Sequence, residues 1–307
     1  MFPFIKLIRY QNLLMLAFMQ LVFRYGFFKF QNIPLALNDW QYTLLVLSTV
    51  LLAAGGYVIN NIFDQDTDTI NKPANVIVGK SISETKAYNI YVALNCAGVG
   101  IGFYLSNVIQ KPGFASIFIL IAATLYFYAT SLKQMILIGN TVIALLLAFS
   151  VIIVGIFDLY PATYEGNQQQ MAVIFSILLD YALFTFILNF IREIVKDLED
   201  VHGDFSQGMN TLPIAIGINR TSKIIFGLSF IPILAILFYI NNYLFQLQFA
   251  TLYLMLSVLG PLLYFTFKIW NAKTKNEFQK LSLLLKWILL FGIVSIVVIT
   301  LNMHYNA

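Results

Sequence analysis

The sequence predicts an all-α membrane protein of nine transmembrane helices, and three observations predict it. Of the 307 residues, 60% are hydrophobic and only 10% are charged, whereas a soluble globular chain carries about 25% charged residues. Mean hydropathy is +0.81. Apolar runs recur that are long enough to cross a hydrocarbon layer, which takes about 20 residues of helix. Together these exclude a soluble enzyme, a disordered chain and a secreted disulfide scaffold. The one cysteine, Cys96, has no partner for an internal disulfide, and its apolar surroundings predict a packed thiol. The net charge of +4 is no nucleic-acid signal, because the basic residues are spread out beside apolar spans.

The spans follow from the apolar runs taken in order. The first is expected near residues 12–31. Lys6 and Arg9 precede it as they would a signal peptide, but no small-x-small cleavage site follows, and Phe23, Arg24, Tyr25, Phe27 and Phe28 crowd that region, so a retained helix is predicted. The second, near 42–62, runs into the polar stretch 63–86. The third and fourth fall near 87–108 and 113–131, with Lys133 alone in the short connection that follows. The fifth is near 136–157 and the sixth near 171–191, the latter carrying Asp180 inside the span and leading into a second polar stretch, 192–222. The last three fall near 223–243, 249–267 and 285–303. One domain over residues 1–307 is expected, with a weak two-fold repeat of helix pair plus acidic stretch.

Positive charge sets the topology. The N-terminus and the connections after the second, fourth, sixth and eighth helices, with their flanks, hold 15 of the 18 Lys and Arg residues; the other side holds only Arg24, Lys29 and Lys111. The N-terminus is therefore expected in the cytoplasm and the C-terminus outside.

Carboxylates are concentrated. Of only 14 Asp and Glu residues, eight fall in residues 60–68 and 192–204, at the cytoplasmic ends of spans: Asp64, Asp66, Asp68, Glu193, Asp197, Glu199, Asp200 and Asp204. Asn60, Asp64 and Asp68 recur every four residues, so a helix continuing from the second span sets them on one face; Asp197, Asp200 and Asp204 share a face in the same way. Like charges so spaced destabilise a helix unless something cationic compensates. Two facing carboxylate stripes suit a hard divalent cation such as Mg²⁺, which takes oxygen ligands from a few carboxylates and from substrate phosphates. Lys72 follows the first window, Arg192 and Lys196 lie at the start of the second, and Lys133 sits in the short connection after the fourth span; all four suit phosphate oxygens. Asp66 and Glu199 point off these faces and are expected to be solvated or outside the ligand set. Asp180 is a secondary candidate as an ionisable group inside a span. His202 and His304 lack metal-ligand spacing.

These residues also carry a resemblance. Asn60-Asn61-Ile62-Phe63-Asp64-Gln65-Asp66-Thr67-Asp68 resembles the N-D-x-x-D-x-x-x-D motif of UbiA-type intramembrane prenyltransferases, with Asn71, Lys72, Pro73 and Gly79 continuing the pattern. Asp200-Val201-His202-Gly203-Asp204 resembles the second D-x-x-x-D motif, followed by Gly208, Thr211 and Gly217. Arg9, Asn12, Tyr128 and Lys133 are similar to that family as well. The sequence departs from it at Asn61, where Asp is usual, and at Asn75, where Arg is frequent.

The resemblance implies a UbiA-like bundle that moves a prenyl group from an allylic prenyl diphosphate to a lipophilic acceptor, with Mg²⁺, at the cytoplasmic side of a bacterial or archaeal cell membrane. It implies metal contacts at Asn60, Asn61, Asp64, Asp68, Asp197, Asp200 and Asp204, and diphosphate contacts at Lys133, Lys72, Arg192 and Lys196, with a structural salt bridge to Asp200 an equal reading for Lys196. Tyr126 and Tyr128 are the aromatic candidates for stabilising an allylic cation. The run from Arg192 to Asp204 is most similar to the geranylgeranylglycerol-phosphate branch; an aromatic acceptor, as in quinone biosynthesis, is the alternative within the family, and a membrane transporter the alternative outside it. The partners expected are the prenyl diphosphate, the acceptor and membrane lipid, with no nucleic acid. Asp64→Ala or Asp200→Ala should abolish turnover while the protein still inserts and purifies; full activity in either, with Mg²⁺ still required, would remove the two-stripe reading.

Overall fold

The computed structural model describes residues 2–71, 73 and 76–305. The chain is helical almost throughout: α1 (Phe2–Leu7), α2 (Tyr10–Gly26), α3 (Asp39–Phe63), α4 (Gln65–Asn71), α5 (Glu84–Val108), α6 (Ala115–Thr130), α7 (Ile138–Asp158), α8 (Gln168–Ser206), α9 (Leu212–Ile216), α10 (Ile218–Tyr239), α11 (Gln248–Leu254), α12 (Gly260–Asn271) and α13 (Lys275–Tyr305). Among the described residues nine helical segments are long and apolar enough to span a bilayer, and each overlaps one of the apolar runs read from the sequence, to within two residues at the ends of the fourth and fifth. A π-helical turn, Met255–Leu259, joins α11 and α12 into the eighth of them.

Two departures from the expected boundaries build the site. The sixth span does not stop near residue 191: α8 continues unbroken for 39 residues to Ser206. At 1.5 Å per residue that is about 58 Å, against a hydrocarbon layer of about 30 Å, so its last turns project beyond the apolar zone. It stops where Gly208 takes a left-handed conformation, φ +68°, the usual termination of a helix. The helix after the second span does not continue straight from it: α3 ends at Phe63 and α4 restarts at Gln65, with Asp64 between them at φ −93°, ψ 5°. The i to i−4 ladder nevertheless carries through, since the Asp64 amide bonds Asn60 O at 2.9 Å and the Asp68 amide bonds Asp64 O at 2.8 Å.

Helices approach closely where side chains are small, as bundles in lipid require. On α5 a Cβ at Gly98 would meet Leu52 of α3 at 2.9 Å, and the Ser48 hydroxyl of α3 donates to Gly98 O at 2.7 Å. Gly98, Gly102 and Leu105 form the packed face of α5. Cys96 lies off that face and is exposed, which corrects the expectation of a packed thiol.

At the end of the bundle away from the acidic windows, charge is buried rather than left at the surface. The guanidinium of Arg24 on α2 pairs with Asp158 at the end of α7, and both residues are buried, at 2% and 0% exposure. Arg24 Nη2 also donates to Leu37 O at 2.6 Å, and Asp158 Oδ1 accepts from the Leu37 amide at 3.0 Å. The ring of Tyr42 on α3 lies 4.5 Å from the guanidinium. One ion pair thus ties α2, α3, α7 and the 32–38 segment together. Removing one partner of a buried pair costs about 3–5 kcal/mol. Asp158→Ala should therefore lower the melting temperature of the purified protein markedly, and Arg24→Met combined with Asp158→Leu should recover much of the loss; an unchanged melting temperature in the single variant would show that the pair does not hold this end.

Candidate active site

The spacing of the acidic residues becomes two facing walls. A cavity of about 360 Å³ opens between them. One wall is the end of α3 and α4, presenting Asn60, Asp64 and Asp68; the other is the projecting part of α8, presenting Arg192, Glu193, Lys196, Asp197, Asp200 and Asp204. Lys133, from the short connection after α6, closes a third side. Inward, the lining turns apolar, with Leu16, Leu52, Leu125, Leu147 and Ile293 among its residues.

A single side chain joins the two walls. Asn71, the last residue of α4, donates through Nδ2 to Asp200 O at 2.9 Å and accepts through Oδ1 from the Gly203 amide at 2.9 Å. Lys275, at the start of α13, donates to the carbonyl of Asn71 at 2.5 Å. Position 203 has no room for a side chain: a Cβ there would lie 2.3 Å from Asn71 Nδ2. The glycine between Asp200 and Asp204 is what lets α4 reach α8.

Electrostatics inside the cavity are strongly partitioned. The Lys133 ammonium pairs with Asp64 Oδ1, and Asn60 Nδ2 donates to Asp64 Oδ2. Lys196 donates to both oxygens of buried Glu193, at 3.0 and 2.8 Å. Arg192 approaches Glu193 at 3.9 Å and donates through Nε to Ser282 O at 3.2 Å. Asp197 Oδ2 accepts from Asn140 Nδ2 at 2.8 Å. The oxygen Oδ1 of Asn60 is buried and has no hydrogen-bond partner among the described residues, although buried polar atoms are nearly always satisfied.

That orphaned oxygen bears on the metal expected from the sequence. No three His, Cys, Asp or Glu residues among those described converge into a ready cage; the carboxylates stand on opposite walls. An all-oxygen donor set, spread over two walls with a free amide oxygen beside Asp64, fits Mg²⁺, which dehydrates reluctantly and is held by one or two carboxylates plus substrate phosphates. The residues present fit the ion.

Most of the residues expected from the sequence meet here, and some do not. Asn61 does not line the cavity. It is rotated about 100° from Asn60 around the helix, and its Nδ2 donates to Tyr57 O at 2.8 Å and to Leu7 O at 3.5 Å on α1. Lys72 and Asn75 lie outside the described residues. Tyr128 lines the cavity, whereas Tyr126 packs edge-on to Phe63 and is 40% exposed. Asp66 is exposed as expected, but Glu199 is buried and accepts from Gln279 at 3.2 Å. Asp180 is exposed on α8 and apart from the cavity. The sequence reading gave Arg9, Asn12, Tyr57 and Lys286 no role, yet all line the cavity. A lysine inside the last span was the signal available for Lys286.

Comparison with known proteins identifies the family and the fold. The family model described as "UbiA prenyltransferase family" matches residues 25–299. The digeranylgeranylglyceryl phosphate synthase of Saccharolobus solfataricus is 32% identical over 253 residues, 82% of each chain. That of Thermococcus kodakarensis is 30% identical over 268 residues, 86% of this chain and 88% of the relative. The match to the Korarchaeum cryptofilum protein of the same name, 34% identical, spans 62% of each chain. Among solved structures, one of a digeranylgeranylglyceryl phosphate synthase is 22% identical with a TM-score of 0.63, covering 96% of this chain and 98% of that one. A UbiA homolog from Archaeoglobus fulgidus bound to GPP and Mg²⁺ is 16% identical with a TM-score of 0.59, covering 96% and 99%. At these identities the structural likenesses show the fold. Gly203→Ala should push Asn71 off α8 and forfeit two hydrogen bonds of about 1 kcal/mol each; the connection after Asn71 should then become more sensitive to limited proteolysis and turnover should fall at least tenfold, and a variant matching wild type in both would refute the joint.

Proposed function

The chain belongs to the UbiA prenyltransferase family, and on that premise we propose that it transfers a geranylgeranyl group from its diphosphate to the free glycerol hydroxyl of geranylgeranylglyceryl phosphate. The whole chain, residues 1–307, acts as one catalytic domain. Its N-terminus and its site face the cytoplasm, and its C-terminus lies outside. The observation that carries this reading is the pair of carboxylate-bearing helix faces set across a cavity whose inner lining is apolar. Such a cavity accepts a charged head at one end and a hydrocarbon tail at the other.

Asn60, Asp64, Asp68, Asp200 and Asp204, with Asp197 beside them, would hold Mg²⁺, which there supplies neutralisation of the charge that grows on the departing diphosphate. Lys133, Arg192 and Lys196 bind diphosphate oxygens, Lys133 and Lys196 by giving up part of their pairing with Asp64 and Glu193; Lys72 has the same role. The C1–O bond of the prenyl diphosphate breaks with its electron pair leaving on the diphosphate. The glycerol oxygen donates a pair to C1, and the hydroxyl proton ends on the released diphosphate. The partial release of the two lysine ion pairs accompanies substrate binding, so the charges face the diphosphate before charge develops on it. The apolar lining excludes water from the allylic cation, and the Tyr128 ring offers it a π face. Each buried CH₂ of the tail contributes about 0.8 kcal/mol, so binding of a long chain is strong while discrimination per carbon is slight.

A product assay tests this. Purified protein in lipid, with geranylgeranyl diphosphate and Mg²⁺, should add one geranylgeranyl mass to geranylgeranylglyceryl phosphate, and EDTA should abolish the product. Gain of mass on 4-hydroxybenzoate, homogentisate or a dihydroxynaphthoate instead would move the protein to an aromatic acceptor. No product with any of them would overturn the reading.

A further inference from the structure

The cavity contains more positive charge than the donor site uses. Lys286 lies on α13, three turns in from Lys275, where the helix is already within the last apolar span. An ionisable side chain at such a depth is costly and faces the protein interior when it has a function. Its ammonium donates to Asn12 Oδ1 at 2.7 Å, and Asn12 Nδ2 donates to the hydroxyl of Tyr57 at 3.1 Å. The guanidinium of Arg9 sits over the Tyr57 ring, 5.3 Å from its centre. Arg9 is at the junction of α1 and α2 with φ 50° and ψ 52°, a left-handed conformation that costs a non-glycine residue about 1–2 kcal/mol. Among the described residues neither Arg9 nor Lys286 is ion-paired to a carboxylate, unlike Lys133 and Lys196. Arg192 is close enough to Lys286 for their charges to repel. Glu193, 3.9 Å from Arg192 and within electrostatic reach of Arg9, offsets part of this repulsion, and an anion bound between Arg9 and Lys286 would offset the rest.

We infer that Arg9 and Lys286, oriented by Asn12 and Tyr57, form a second anion subsite that takes the phosphomonoester of the lipid acceptor. This rests on the acceptor class given above and deepens it. The donor diphosphate belongs to the acidic walls, where a divalent cation reconciles like charges. A phosphomonoester needs no metal on a wall of lysine and arginine, and a charge-assisted grip there is about twice as strong as a neutral hydrogen bond. Holding the acceptor phosphate on α2 and α13 leaves its glycerol hydroxyl to reach toward the acidic walls. The subsite therefore selects a phosphorylated lipid alcohol over the same alcohol without phosphate.

Direct binding to the full-length protein in nanodiscs, without donor, separates this inference from the reaction itself. Wild type should bind geranylgeranylglyceryl phosphate at least tenfold more tightly than geranylgeranylglycerol. Lys286→Met and Arg9→Gln should each collapse that ratio, and Lys286→Arg and Arg9→Lys should retain most of it, which excludes misfolding as the cause. In turnover the two neutralising variants should raise KM for the phosphorylated acceptor far more than KM for geranylgeranyl diphosphate. An unchanged ratio in both neutralising variants would overturn the subsite. So would an equal loss of affinity for inorganic diphosphate or an equal rise in donor KM, since the two cations would then serve the donor. A phosphate preference lost in the variants, in a protein that forms no ether product, would uphold the subsite and overturn the proposed reaction.

Discussion

The Asn71 side chain, bonded at one end to the carbonyl of Asp200 and at the other to the amide of Gly203, is the joint on which the rest of the site depends. Each acidic helix face carries several like charges, and two such faces repel. Coulomb repulsion alone would drive α4 away from the projecting end of α8. Neutral amide hydrogen bonds hold them together without using a carboxylate, and Asp64, Asp68, Glu193, Asp197, Asp200 and Asp204 all line the cavity. Gly203 makes the joint possible because a Cβ there would occupy the space of the Asn71 amide. Lys275 ties the same residue to α13, so one asparagine gathers three elements.

Around that joint the bundle separates charge by position. At one end, acids and bases line a cavity and are available to a ligand. At the other, Arg24 and Asp158 are paired and buried, where they brace α2, α3 and α7. The same residue types thus do opposite work. An ion pair closed on itself and tied to the Leu37 backbone is a brace. Among the described residues the Asn60 amide oxygen has no hydrogen-bond partner and neither Arg9 nor Lys286 forms a carboxylate ion pair, and in a low-dielectric setting such unfinished interactions are what a ligand completes. The cavity lining carries both signs, with Arg9 and Lys286 beside the Asp-bearing walls, which suits two anionic substrates that must lie side by side.

Helical periodicity made part of this legible. Asn60, Asp64 and Asp68, and Asp197, Asp200 and Asp204, were assigned to shared faces from spacing alone, and all six line the cavity. The kink between α3 and α4 did not break the first set, because the hydrogen-bond ladder passes through Asp64. Asn61 does not share that face: motif membership places it next to Asn60, but about 100° of rotation turns it toward α1. For Glu199 its phase on α8 left solvent or a place outside the ligand set open; the structure buries it against Gln279 of α13, 80 residues away and off the cavity. Cys96 was expected inside because its neighbours are apolar, but in a membrane protein the lipid-facing surface is as apolar as the core.

The sequence by itself determined that the chain spans a membrane nine times, where the acids cluster and which of them share a face. Run length, composition and residue spacing are local properties, and a helix converts spacing into direction without help from the rest of the fold. Only the tertiary structure decided which faces meet. Asn71 against Gly203, Lys133 against Asp64, and Lys286 against Asn12, 274 residues apart, are contacts that no local pattern encodes. They arise because packing the spans buries particular small residues against particular neighbours, and that packing brings charges from both ends of the chain to one cavity.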